Sequence, residues 1–146
     1  MSAYKDLGPW FSMALWIAGA AHFSILFASF QVPARLRWHK ELPKLLPFNR
    51  KLIWKGGAFI VMTIVSFGIL TLYLHDEMLH GNKVALGLAA FIGIFWTFRV
   101  LTDLFYFSHD DWPAGISMTI GHCLLTALFT TLSLTYLGLV VWCVFL

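Results

Sequence analysis

Four ionisable residues lie inside long apolar stretches of the chain: His22, Arg99, Asp103 and His122. Ionisable side chains are costly within a membrane, so each of them is a candidate functional group. Counting about 1.5 Å of rise per helical residue places all four in the same half of a helical bundle, at overlapping depths. Guanidinium, carboxylate and imidazole groups at one depth would suit binding of an anion, ligation of a cofactor or transfer of a proton.

Arg99 and Asp103 are four residues apart, so their side chains share one helix face and can form an ion pair. The simplest interpretation is that the two charges neutralise each other and reach toward the membrane surface. The alternative is that Arg99 anchors an anionic group, such as a lipid phosphate, a carboxylate or a haem propionate. Trp96, Asp103 and Tyr106 would then contribute to a ligand or proton site on the same stripe.

His22 and His122 form a second candidate pair, because they lie in the first and last apolar segments, which are neighbours in a simple up-down bundle. Two inward histidines at one depth would ligate the iron of haem b axially, with Arg99 near a propionate. One alternative is a buried neutral imidazole bonded to neighbouring hydroxyl groups or to Asp103. Another is a proton relay that includes Asp103.

A polar turn holds a third group of potential ligands: His75, Asp76, Glu77 and His80. Imidazole and carboxylate groups are ligands for zinc or copper. These residues are adjacent in a short turn, so a solvated polar turn is the simpler expectation. The sequence contains no G-x-S-x-G, Walker or C-x-x-C-H motif, which favours a protein that is not an enzyme.

Composition defines the elements that must position these residues. The chain has 146 residues, of which 60% are hydrophobic and 12% are charged. Soluble domains carry about 25% charged residues, so a soluble enzyme, a disordered chain and a nucleic-acid binder are excluded. Apolar segments at about 9–30, 52–74, 84–107 and 114–146 are each long enough to cross a bilayer. We therefore predict one transmembrane domain over residues 1–146, an all-α antiparallel four-helix bundle.

Small residues predict which helix faces meet, since they let backbones approach closely in lipid. In the second segment this face carries Gly56, Thr63 and Ser66, and in the third it includes Gly93. Bulky apolar residues are expected to face lipid.

A basic connecting segment at about residues 31–51 is interrupted by Pro33, Pro43 and Pro47 and mixes leucines with charges. This pattern is typical of a chain lying in the membrane interface. Eight of the ten Lys and Arg residues fall on this side of the predicted bundle. The positive-inside rule makes that side cytoplasmic, so both termini are expected on the non-cytoplasmic side.

Three stretches of the chain, ARLRWHKEL, GAFIVMTIVSFGIL and AAFIGIFWTFRVLTDLFYF, resemble a group of small bacterial four-span integral membrane proteins without an assigned activity. The resemblance covers about residues 20–140. It implies a bacterial cytoplasmic (inner) membrane and carries over no catalytic residue.

The expected function is that of a non-enzymatic accessory or structural subunit of a larger membrane complex, or of a module that binds lipid or another hydrophobic ligand. The expected partners are the lipid bilayer and other membrane subunits or a second copy of the chain, and not nucleic acid. The alternatives are a b-type haem redox protein with bis-histidine ligation and a small proton-coupled transporter.

Overall fold

The computed structural model describes residues 5–108, 110 and 113–146, and within them the protein is all-helical with no strand. Four of its helices are long and apolar enough to cross a membrane, which indicates an integral membrane protein. A 3₁₀ turn at Leu42–Lys44 lies in the first connection between them. The α-helices in chain order are α1 Gly8–Arg35, α2 Trp38–Glu41, α3 Pro47–Tyr73, α4 His75–Leu79, α5 Lys83–Phe105 and α6 Ile116–Phe145.

Local sequence signals set the ends of these helices. Pro47 occupies the first turn of α3, where its missing N–H costs no helical hydrogen bond. Gly81 adopts a left-handed φ of 74° directly after the turn that contains α4. Asn82 then caps α5, because its side-chain oxygen accepts the backbone N–H groups of Val84 and Ala85.

The segment between α1 and α3 is shorter than the sequence predicts. Helix α1 continues through Pro33 to Arg35, and α3 already begins at Pro47 rather than near residue 52. A proline removes one helical hydrogen bond, and this close to the end of a long helix the remaining bonds continue the helix past it. The turn comes instead at Arg37, whose φ of 54° is left-handed.

Buried side chains concentrate in one half of the packed helices. In α1 they run from Leu15 to Ile25, in α6 from Phe129 to Leu139, and in α3 they start only at Ile64. The described stretches of α1 after Ile25 and of α6 before Phe129 contain no buried residue. The long helices therefore pack tightly near one end and leave space between α1 and α6 near the other.

The face of α3 that packs against the other helices is not the predicted face of small residues. A Cβ atom at Gly56 would meet nothing within 4 Å. Thr63 and Ser66 donate their hydroxyl groups to carbonyls of their own helix, so neither needs a partner on another helix. The interior instead contains large aromatic side chains, which were expected to face lipid. The buried residues of α3 are Ile64, Phe67, Gly68 and Thr71.

The close approach of α5 and α6 depends on Gly93. A Cβ atom there would lie 2.8 Å from Cγ and Cδ2 of Leu137 and 3.3 Å from its backbone nitrogen. We expect Gly93→Ala to lower the free energy of unfolding by about 1–3 kcal/mol through overpacking. Thermal unfolding in mild detergent measures this change.

Gly87→Ala is the matched control on the same helix, since a Cβ atom there meets nothing within 4 Å. Both substitutions gain the same helix propensity, so the difference between them isolates packing. Equal melting temperatures for the two variants would contradict the close approach of α5 and α6.

Candidate functional site

A buried carboxylate on α5 is the centre of the candidate site. Asp103 is only 4% exposed, and its Oδ2 atom accepts a hydrogen bond of 2.7 Å from Oγ1 of Thr126 on α6. Nε2 of His122, one helical turn earlier on α6, lies 3.5 Å from the same oxygen. A buried charge is stable only when it is paired and hydrogen-bonded, so these contacts fix the register of α5 against α6.

Asp103, His122 and Arg99 form a cluster of ionisable side chains, called here the ionic cluster. The guanidinium group of Arg99 is not fully hydrogen-bonded within it. Its Nη1 atom lies 3.6 Å from Oδ1 of Asp103, beyond hydrogen-bond distance, and Cζ lies 5.3 Å from the ring centroid of Phe129. Nη1 is buried and makes no hydrogen bond to any described residue, although 40% of the side chain is exposed. Arg99 and Asp103 therefore share a helix face as predicted, and one guanidinium nitrogen retains its capacity to donate.

The ionic cluster lies at the wall of a cavity of about 620 Å³ between α1, α5 and α6. This volume is within the range of about 300–1,000 Å³ that is usual for small-molecule sites. Phe27 of α1 and Leu124 of α6 line the cavity and are 73% and 66% exposed, so the cavity opens at the surface of the bundle. Most of the remaining lining is apolar. The site joins an apolar chamber to a few charged groups.

An aromatic column connects this site to the packed core. The Trp96 ring stacks on Phe129 with centroids 4.8 Å apart, and its Nε1–H donates to Nε2 of His22 at 3.1 Å. His22 in turn donates from Nδ1 to the carbonyl oxygen of Ala18 at 2.7 Å. Both ring nitrogens of His22 are thus used, in a fully buried neutral tautomer.

The structure does not bring His22 and His122 together. The His22 ring lies 6.0 Å from the Tyr136 ring, whereas His122 precedes Tyr136 by 14 residues on α6. This separation corresponds to about 21 Å along the helix axis. Axial ligation of one iron requires both imidazoles beside the same atom, and Nε2 of His22 already accepts a hydrogen bond from Trp96. The geometry therefore offers no bis-histidine haem site at these residues.

Trp96 and Tyr106, predicted to share a stripe with Arg99, are also separated. Trp96 is 2% exposed and belongs to the core, while Tyr106 is 81% exposed and contacts the Phe107 ring. The described residues that line the cavity include neither of them. The two residues are ten positions apart on the chain, about 15 Å along the helix axis, so Trp96 lies in the core while Tyr106 caps the end of α5.

The polar turn does not form a metal site. Among the described residues, no group of three or more His, Cys, Asp and Glu side chains is placed to hold a metal ion. His75 is buried and stacks on Trp16, with Nε2 3.1 Å from the Ser12 carbonyl oxygen and Nδ1 2.8 Å from Asp76. His80 bonds instead to the backbone carbonyl of Asp76, and Glu77 is exposed. This turn ties α4 to α1.

Among the residues of the site that sequence reasoning missed are Gln31, Arg35 and Phe129. Gln31 and Arg35 line the cavity from α1 and are four residues apart within one helix. Two polar residues at that spacing, directly after an apolar run, were an available signal for a polar helix face. They were assigned instead to a connecting loop. Phe129 carried no such signal, since it is one of 14 phenylalanines.

The hydrogen bond from Thr126 to Asp103 yields a stability prediction. Thr126→Val removes the only described donor within 3 Å of the carboxylate, so we expect a loss of about 1–3 kcal/mol in the free energy of unfolding. Thr130→Val is the control, because the Thr130 hydroxyl group bonds within its own helix. Detergent-phase thermal unfolding of both variants measures the difference. The two variants should not lose equal stability.

Comparison of the chain with protein-family models, with curated protein sequences and with solved structures found no match in any of the three.

Proposed function

We propose that this protein is a non-enzymatic membrane protein that binds one lipid or similar hydrophobic ligand in the cavity between α1, α5 and α6. The observation that carries the proposal is an apolar cavity of about 620 Å³ with a buried ionic cluster in its wall. Binding sites for small amphiphiles have this composition: mostly apolar lining with a few placed polar groups. The exposed lining residues Phe27 and Leu124 give access from the surrounding bilayer.

Binding fits the geometry better than transport through the bundle. The stacked rings of Trp96 and Phe129 lie at the inner end of the cavity, with buried Leu132 and Tyr136 further along α6. These close-packed side chains separate the cavity from the opposite end of the helices. A proton-coupled transporter would need a second access path to Asp103 from that end, so this layer favours binding over transport.

The contacts between helices support an antiparallel arrangement. Gly19 lies against Leu72, while three residues later His22 lies against Gly68, so the contacts run in opposite order along α1 and α3. Alternating helix directions bring the ends of α1 and α5 to one side, together with the connection that contains α2. That side carries most of the basic residues, so we place it in the cytoplasm of a bacterial cell, with both termini outside.

The proposed orientation predicts which surface positions a membrane-impermeant thiol reagent reaches in intact cells. In a background with Cys123 and Cys143 replaced by serine, Glu77→Cys is expected to react from outside, and Lys44→Cys only after permeabilisation. Glu77 and Lys44 are both exposed on the protein surface, so a difference in labelling reports the side of the membrane and not burial within the protein. If Lys44→Cys reacts in intact cells and Glu77→Cys does not, the orientation is the opposite of the one proposed. Equal labelling of the two positions in intact cells would contradict a spanning topology.

The cavity itself is tested by filling it. Gly121 lines the cavity and a Cβ atom there would meet nothing within 4 Å, so we expect Gly121→Trp to occupy space that a ligand needs. Gly87→Trp is the matched control, because Gly87 is equally open but lies outside the cavity. Protein reconstituted with equimolar phosphatidylglycerol and phosphatidylcholine of identical chains is extracted in mild detergent and weighed by native mass spectrometry.

We expect one lipid per protein on the wild type and on Gly87→Trp, counted over both headgroups. Retention should fall about tenfold in Gly121→Trp, as expected from losing the apolar contact of about one buried side chain. Ala28→Trp, on the α1 wall of the cavity, should have the same effect. Unchanged retention in both cavity variants would refute the proposed site.

A further inference from the structure

The unsatisfied nitrogen of Arg99 indicates the chemistry of the ligand. Nη1 is buried, faces Oδ1 of Asp103 at 3.6 Å and donates to no described residue. A buried donor without an acceptor is costly, and for a charged group the cost is larger still. Arg99 lines the cavity and 40% of its side chain is exposed, so a small rotation of the guanidinium group would present Nη1 to an acceptor carried by a ligand.

A second guanidinium group lines the same cavity. Arg35, in the last turn of α1, and Gln31 one turn before it both contribute to the wall opposite α6. Two guanidinium groups and one carboxylate, that of Asp103, therefore line the cavity, together with His122. Among the described residues that line the cavity, the guanidinium groups therefore outnumber the carboxylate by one.

The location of this charge favours the anionic headgroup of a lipid. Arg35 lies at the end of α1 that leads into the basic connection, where the positive residues Arg37 and Lys40 follow. This is the level of the lipid headgroups in the proposed orientation. The planar fork of an arginine binds two phosphate oxygens at once, and the surrounding positive field repels a cationic headgroup.

We infer, on the basis of the proposed function, that the cavity selects a phospholipid with net negative charge. Its phosphate accepts hydrogen bonds from Arg99 and Arg35, and one acyl chain lies against the apolar wall of α6. Asp103 holds Arg99 in place through the ion pair and is itself held by Thr126, so it acts as a positioning residue.

The experiment compares headgroups in the native mass spectra described above. From the equimolar mixture, wild-type protein is expected to retain phosphatidylglycerol over phosphatidylcholine by about tenfold, the effect of one hydrogen bond to a charged group. Arg99→Gln and Arg35→Gln should each bring the ratio close to one. Arg99→Lys keeps the charge without the fork and should retain part of the preference.

Arg50→Gln is the matched control, because it removes one positive charge from α3 outside the cavity and should leave the preference unchanged. A melting temperature close to that of the wild type will show that each variant is folded. Phosphatidylcholine should stay bound to Arg99→Gln at the wild-type level, which will show that the cavity is intact.

The outcomes separate the two proposals. Equal retention of both lipids by the wild type, with loss in Gly121→Trp, would overturn the headgroup preference and leave lipid binding standing. Absence of any retained lipid would overturn both. Added palmitate that displaces phosphatidylglycerol at equal concentration would overturn the phospholipid assignment in favour of a free fatty acid.

Discussion

Polar contacts between helices decide which faces of this protein meet. In lipid, apolar helix surfaces gain little by exchanging a hydrocarbon neighbour for a protein one, so packing specificity depends on close approach and on hydrogen bonds that have no water to replace them. Among the described residues, two bonds between helices join side chains that are both fully buried. Trp96 to His22 joins α5 to α1 at 3.1 Å, and Thr71 with Tyr136 joins α3 to α6 at 2.6 Å. Each side chain involved is buried, so sliding or rotating a helix would leave it without a partner.

The site inherits its geometry from these core contacts. His22 fixes the indole of Trp96, Trp96 supports the ring of Phe129 by stacking, and Phe129 lies beneath the guanidinium group of Arg99. A residue with no contact to the cavity, His22, thereby influences the orientation of one that lines it. The role of His22 is consequently structural in this arrangement. Its partners are the indole of Trp96 and the carbonyl of Ala18, not the hydroxyl groups or Asp103 that the sequence suggested for a buried imidazole.

Sequence patterns identify the parts of this fold that depend on a single segment. The four apolar runs predict the four long helices, and the i,i+4 spacing predicts that Arg99 meets Asp103. Depths across helices were not predictable, because they depend on where each helix ends. His22 is 13 residues from the end of α1 and His122 is six from the start of α6, about 20 Å and 9 Å, whereas the sequence placed them level. The sequence also offered no way to tell buried aromatic residues such as Phe67 from the many that are exposed on the outside of the bundle.

The position of the cavity follows from how Asp103 is satisfied. Its described partners, Arg99, Thr126 and His122, all come from α5 and α6, so the carboxylate is neutralised without any contribution from α1. The last buried residue of α1 is Ile25, with Leu26 partly buried against the core, and no later residue of α1 is buried. A void between helices would sacrifice dispersion contacts, and acyl chains are the material that a bilayer supplies to fill it. These contacts within α5 and α6 also leave Nη1 of Arg99 without an acceptor among the described residues. A ligand with an apolar tail and an anionic head would both fill the space between α1 and α6 and supply an acceptor for Arg99. A wholly apolar ligand would fill the space and leave that donor without a hydrogen bond.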